Sequence, residues 1–312
     1  MPNWNDILSE NNAETQKHLI AAQSALDTVR HRYLAQLFGH TQRNVIAYYS
    51  GFLSKPNIEG IEITDEDKNG LMAAIHKLDR KLGLDLLLHT PGGSMSATES
   101  IVDYLKSTFG KDIRAIVPQI AMSAGTMIAC ACKVILMGRQ SNLGPVDPQF
   151  GQIPAAGVLE EFQKAFEDIK GDPDKARIWQ FIIGQYPPSF LGQCQNAVDW
   201  GKDFVRSVLI DNMFDGKPNK ETLAAQVVEK LTDFSGNKAH NRHIHYHECR
   251  SIGLKIELLE ENQTFQDLVL SVHHSYMHAL GNTPAYKIIE NHNGVAFIKQ
   301  QQMVLPAMAP RP

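Results

Sequence analysis

Two short stretches hold residue types that could act together in chemistry. Ala121-Met122-Ser123-Ala124-Gly125-Thr126 sets a serine among small residues, just after an apolar run and just before a helical pattern. His89-Thr90-Pro91-Gly92-Gly93-Ser94 ends an earlier apolar run on Pro-Gly-Gly and also opens a helix. Glycine lets a ligand approach the backbone closely, and a helix N-terminus turns N–H groups and a positive dipole end toward it. Acyl transfer needs both parts: a hydroxyl nucleophile, and donors for a tetrahedral oxyanion. The N–H groups of Gly93 and Ala124 form the natural donor pair, with Gly92 shaping the turn. Losing one such donor typically costs roughly 3 kcal/mol of transition-state stabilisation. Each stretch also has a plainer reading, a tight turn and a helix-capping serine. Ser94 and Ser96 read as helix-start residues, and Ser123 lacks the G-x-S-x-G elbow.

The surrounding pattern supplies elements that can position such a pair. Strands are expected over 44–52, 84–89, 112–118 and 133–138, with helices over 63–78, 96–109 and a short small-residue helix from Ser123. Thr64 and the acids after it mark the start of the helix over 63–78, where negative charge suits the dipole. Strand–helix alternation with short loops predicts α/β architecture. The low-charge stretch 115–138 is long enough to suggest a membrane span. Pro118, Gln119, Ser123, Gly125 and Lys133 interrupt it, so it reads as strand, turn, buried helix and strand. Residues 1–14 read as loose. Leu19, Ala22, Leu26, Val29, Tyr33 and Leu37 predict one amphipathic helix over 14–38, either a dimerisation arm, a membrane-surface helix or a helix packed on its own domain. Beyond residue 150 the chain becomes mainly helical, at 156–170, 174–184, 190–214, 220–233 and 264–280, with a strand at 254–259. The expected division is an arm over 1–40, a domain over 41–300 and a loose tail over 301–312.

The segments LHTPGGSMSATESI, VPQIAMSAGTMIACAC and SNLGPVDPQFGQIPA resemble, in order and spacing, the Clp-fold serine proteinases of the serine dehydrogenase proteinase group. These are relatives of signal peptide peptidase A and, more distantly, of the Clp protease and crotonases. The resemblance covers about residues 84–156 strongly; His240 and Ile244 survive from a later family segment. It implies a Clp/crotonase-like fold of stacked β-β-α units that assembles into homo-oligomers. It makes Ser123 the nucleophile, Gly92 and Gly93 part of the oxyanion hole, and protein or peptide the substrate. The loop GPVDPQ (144–149) is then structural and substrate-facing, with Asp147 either structural or catalytic.

Ser123 needs a proton acceptor. The family relatives use a lysine several tens of residues after the serine, and Lys164 fits that placement. Val158, Leu159, Phe162, Phe166 and Ile169 form an apolar stripe on its helix, and Lys164 lies nearly opposite. It can act only if that polar face closes a site, for instance against a neighbouring subunit, and must be neutral to do so. Lys170, nearer the stripe, is the second candidate. His240 is an orienting or structural candidate, and a Ser-Lys dyad is preferred to a Ser-His-Asp triad. His243, His245 and His247 alternate but lack a metal-site signature and read as a polar surface loop, so no metal or cofactor is expected. His273 and His274 read as helix surface.

The 312 residues carry a formal net charge of −4 with no long basic run, so nothing predicts nucleic-acid binding. Four scattered cysteines read as buried free thiols. The N-terminus has no basic-then-apolar pattern, so neither signal peptide nor transmembrane segment is expected, and the reading is cytoplasmic with peripheral membrane contact left open. The leading reading is a serine endopeptidase working through a Ser123 acyl-enzyme. A crotonase-like acyl-CoA enzyme and a catalytically inactive oligomeric scaffold of the same fold are the alternatives.

Overall fold

The computed structural model describes residues 4–18, 24–151, 153–233 and 242–301. A seven-stranded sheet forms the middle layer. The strands among the described residues, in chain order, are β1 (Asn44–Ser50), β2 (Leu84–His89), β3 (Ile113–Val117), β4 (Ile120–Ala121), β5 (Val134–Met137), β6 (Asn142–Leu143), β7 (Gln149–Phe150), β8 (Ile153–Pro154), β9 (Ile244–His245), β10 (Ile256–Leu258), β11 (Ala285–Asn291) and β12 (Ala296–Gln300); β4, β6 and β9 form a second small sheet and β7 and β8 a hairpin. The large sheet runs β10-β5-β3-β2-β1-β11-β12, parallel from β10 to β1 and antiparallel through β11 and β12. Every residue of β1 and β2 is buried, as expected for parallel strands covered on both faces.

Eleven α-helices lie among the described residues: α1 (Trp4–His18), α2 (Ala25–Thr41), α3 (Asp67–Ile75), α4 (Met95–Phe109), α5 (Ala124–Cys130), α6 (Ala155–Gly171), α7 (Ala176–Ile183), α8 (Phe190–Val208), α9 (Lys220–Leu231), α10 (Tyr246–Ser251) and α11 (Gln263–Asn282). Alternation along the strands sorts them into layers. Ile46, Tyr48, Leu86 and Leu88 face α3, α4, α5 and α8. Val45, Ala47, Tyr49 and Leu87 face α2 and α11. A smaller core of Ala155, Val158, Phe190, Cys194 and Val198 joins α6 to α8.

The units that stack are strand, short second strand, helix. β1 is followed by Ile63 and α3, β2 by Thr90 and α4, and β3 by β4 and α5. The short members pair in turn: Ile63 with Gly93, Thr90 with Ala121, β4 with β6, and β6 with β9. This agrees with a Clp-like α/β arrangement. The stretch 115–138 is β3, β4, α5 and β5, and no described helix is long and apolar enough to cross a membrane.

Three expectations change. The N-terminal segment is helical from Trp4 rather than loose, and α1 and α2 are separate helices; Leu19 and Ala22 lie outside the described residues. Val29, Tyr33, Leu34 and Leu37 of α2 are buried in the core beside α11. Two strands follow the last helix inside the expected domain, where no strand was read, because the inward positions of β11 include Lys287, Glu290 and Asn291, all fully buried with distant partners. Residues 302–312 of the expected tail lie outside the described residues.

Candidate active site

The second ladder brings the two chemical stretches together. The Met122 N–H donates to Thr90 O at 3.0 Å, and the Thr90 N–H donates to Ile120 O at 3.2 Å. This sets Pro-Gly-Gly beside Ser123. A Cβ placed on Gly92 would lie 2.8 Å from Ser123 Cβ, 2.9 Å from Met122 O and 3.1 Å from Ala124 N. Only glycine fits there, and its φ of +99° also favours glycine. α5 is built from small residues for a similar reason: a Cβ on Gly125 would come within 2.5 Å of Thr90 Cγ2.

Ser123 sits at the strand-to-helix corner with φ +48° and ψ −112°. A non-glycine residue there stores roughly 1–3 kcal/mol of strain, and such strain gathers at functional sites. The corner has the logic of a nucleophile elbow without its glycine signature. Among the described residues the Ser123 hydroxyl has no hydrogen-bond partner, and neither does the N–H of Ala124 or of Gly93. The Ala124 N–H begins α5, where the first N–H groups lack intrahelical acceptors. Gly93 is pinned by its neighbours: the Ile63 N–H donates to Gly92 O at 2.7 Å, and the Ser94 N–H donates to Ile63 O at 2.9 Å. In this parallel bridge the N–H of Gly93 itself turns away from Ile63.

Ser123 opens into a cleft of about 560 Å³. Pro91, Gly93 and Met95 form one wall, Val146–Gly151 a second, and Ala197 and Trp200 of α8 a third. Met127, Glu62 and Asp147 complete the lining. Asp147 is almost entirely buried. The loop carrying it is tied to α5 by Thr126, whose buried hydroxyl accepts the Gly144 N–H at 3.0 Å. That hydroxyl also faces Ala121 O and Gly144 O at 3.0 and 2.9 Å, one of which takes its proton. Glu62, Thr126 and Trp200 were not singled out in the sequence. Thr126 adjoins the serine motif, but the other two come from segments whose place beside it depends on long-range pairing.

The remaining candidates fall elsewhere. Lys164 and Lys170 are exposed on α6 and do not line the cleft of their own chain. Lys164 lies instead near Asp168, whose carboxylate is held below the ordinary range by hydrogen bonding to Lys175. His240 lies outside the described residues. His243, His245 and His247 are exposed, in keeping with a polar surface segment, but the segment is a strand–helix corner rather than a loop, since β9 ends at His245 and His247 lies on α10. No three potential metal ligands gather among the described residues. Ser94 caps α4, accepting the Ala97 N–H at 3.3 Å. The four cysteines are free and buried, and burial pushes the Cys132 and Cys249 thiols up to about 12, far from a reactive thiolate.

His273 corrects the surface reading. It is buried, with Tyr49 Oη 3.3 Å from its Nδ1 and its ring edge-on to His89 at 5.4 Å. His89 points from the end of β2 away from the cleft, against Tyr49 and Phe52, with neither ring nitrogen hydrogen-bonded among the described residues. Burial lowers its pKa to about 3.

Comparison with known proteins places the chain in a family. The family model described as ClpP-like SDH-type serine proteinase matches residues 14–271. Two proteins of Methanocaldococcus jannaschii are similar. Uncharacterized protein MJ1495 is 31% identical over 208 residues, spanning 67% of this chain and 63% of its own length. Uncharacterized protein MJ0137 is 35% identical over 208 residues, spanning 66% of this chain and 65% of its own length. The match thus takes in a little under two thirds of each relative. By the extent of the family match, which includes Ser123 and both glycines, the chain belongs to the ClpP-like SDH-type serine proteinases.

Proposed function

We propose that this protein is a serine endopeptidase that cleaves protein or peptide substrates through an acyl-enzyme on Ser123. The observation that carries the reading is the strained Ser123 corner seated against Gly92, with the N–H groups of Gly93 and Ala124 unspent on partners among the described residues. Ser123 Oγ attacks the scissile carbonyl carbon while a neutral base takes its proton. The carbonyl oxygen becomes an oxyanion and receives hydrogen bonds from Gly93 and Ala124. Collapse expels the amine, which takes the proton from the base, and water then hydrolyses the ester by the same route.

The base is proposed to be Lys164, with Lys170 second. Both are exposed on α6, away from their own cleft, so the dyad would close across two copies of the chain. Phe166 on α6 and Ile178 and Phe181 on α7 are large exposed apolar side chains, which supports a homo-oligomer, although Phe166 lies on the side of α6 away from Lys164. Removal from water at such a contact would lower the lysine pKa, as a general base requires. Asp147, at the cleft wall, is proposed to shape the site or orient the base. No cofactor is part of this scheme. The test is hydrolysis of an unfolded protein substrate by the wild type and by Ser123→Ala. The scheme requires turnover in the first and none in the second.

Glu62 and Asp147 in the cleft lend support to one other reading, enolate chemistry on an acyl-CoA thioester, which needs acids beside a two-donor oxyanion hole. Strong thermal stabilisation by acyl-CoA, with no peptide hydrolysis, would favour it.

A further inference from the structure

Behind the cleft lies a buried ion pair that the proposed chemistry does not use. Lys287 of β11 and Asp67 at the start of α3 are both completely buried. Lys287 Nζ donates to both Asp67 carboxylate oxygens at 2.8 Å, and Tyr48 Oη donates to Asp67 Oδ2 at 2.7 Å. Burial draws the Lys287 ammonium below the usual lysine range, and the carboxylate opposes that shift. A buried pair of this kind is poor evidence for stability, since apolar replacements often serve as well. What an apolar pair could not do is hold backbone.

Both partners reach the same short segment. Lys287 Nζ donates to Glu62 O at 2.6 Å, and Asp67 Oδ2 accepts the Thr64 N–H at 2.9 Å. Between them stands Ile63, whose N–H and C=O make the two hydrogen bonds that flank Gly93. The Ser50 hydroxyl holds Ile61 O on the same side. Residues 61–64 are therefore fastened on one edge to β1, β11 and α3, and on the other to Pro-Gly-Gly. The contact has no slack: a Cβ on Gly93 would lie 2.4 Å from Ile63 N and 2.5 Å from Ile63 O.

We propose that Lys287 and Asp67 are positioning residues for the oxyanion hole: the buried pair sets the place of residues 62–64, and these set the direction of the Gly93 N–H. The proposal rests on the serine peptidase reading for its catalytic consequence, but its structural half stands without it. Misplacing a catalytic group by about 1 Å can cost on the order of a hundredfold in rate. Lys287→Met alone would strand a buried carboxylate and could unfold the chain, so the decisive variant is the double change Asp67→Leu with Lys287→Met, which removes both charges. Residue-resolved amide exchange and fluorophosphonate labelling of Ser123 are measured on the wild type and on this variant. The expected result is faster exchange of the Ile63 and Ser94 amides with β2 and β3 unchanged. The maximal labelling rate should fall at least tenfold while the half-saturating probe concentration stays within about twofold. Unchanged exchange at Ile63 and Ser94 overturns the proposal. So does faster exchange with an unchanged labelling rate, which would leave the pair purely structural. If the wild type itself does not label, the peptidase reading fails, and the exchange data alone decide whether the pair holds this segment.

Discussion

Gly92→Ala is a sharp test of how the site is built. The added methyl would sit 2.8 Å from Ser123 Cβ, 2.9 Å from Met122 O and 3.1 Å from Ala124 N. Carbon–carbon contacts prefer about 3.5–4.0 Å, so the methyl is roughly 1 Å too close to its nearest neighbour. These neighbours are backbone or Cβ atoms and cannot rotate away, so the serine corner or the glycine turn must move. The backbone also holds a φ of +99°, which adds about 1–3 kcal/mol of strain for alanine. Gly110→Ala separates the two effects, because Gly110 has a φ of +63° and nothing within 4 Å of its added Cβ. Gly110→Ala should lose about 1–3 kcal/mol in urea unfolding, and Gly92→Ala more, because its clash adds to the same backbone strain. Only Gly92→Ala should lose catalysis, by about 10²–10³ in kcat, the usual effect of spoiling one oxyanion donor. Peptide hydrolysis at matched folded fraction is the assay. Full activity in Gly92→Ala, or an equal loss in Gly110→Ala, would refute the argument that this glycine exists to seat Ser123.

Three further outcomes follow. His89 is neutral in the fold, with burial lowering its pKa to about 3. Its contribution to stability is therefore intact above the ordinary value near 6.5 and is lost as pH falls from there toward 3. Between pH 7 and pH 5 this amounts to about 2 kcal/mol, so His89→Phe should flatten the pH dependence of the urea midpoint by that much; an unchanged slope would show that His89 is not held neutral. Ser94→Ala should cost about 1 kcal/mol through loss of the α4 cap and leave hydrolysis intact, and loss of activity at full folding would reassign that serine. Lys164→Ala should reduce hydrolysis by at least about a hundredfold, as expected for a general base, with Lys170→Ala near wild type. The reverse pattern moves the base to Lys170, and two fully active variants refute a lysine dyad.

The serine corner and the glycine turn were legible in the sequence because each is local: a strand ends, small residues follow and a helix begins. Their closeness required only that neighbouring β-β-α units stack. The solvated face of Lys164 was equally legible, because one helix wheel decides it. The last two strands were not. Lys287, Glu290 and Asn291 look like surface residues until Asp67, Arg30 and Ala74 O are brought to them from more than 200 residues away. Asp67 itself read as a helix-dipole acid, yet it accepts the Thr64 N–H and neutralises Lys287 in the interior. His273 failed for the same reason: a polar residue on an amphipathic helix is assumed wet, while Tyr49 and His89 of the sheet cover it. Burial of polar groups by distant partners is what local periodicity cannot report.

The most direct test of the central claim is the site of covalent attachment. The folded protein is treated with a fluorophosphonate, digested, and its peptides mapped by mass spectrometry. The account predicts one adduct, on Ser123, absent in Ser123→Ala and absent after unfolding. An adduct on another serine such as Ser94, or no adduct on a folded and oligomeric sample, would contradict it.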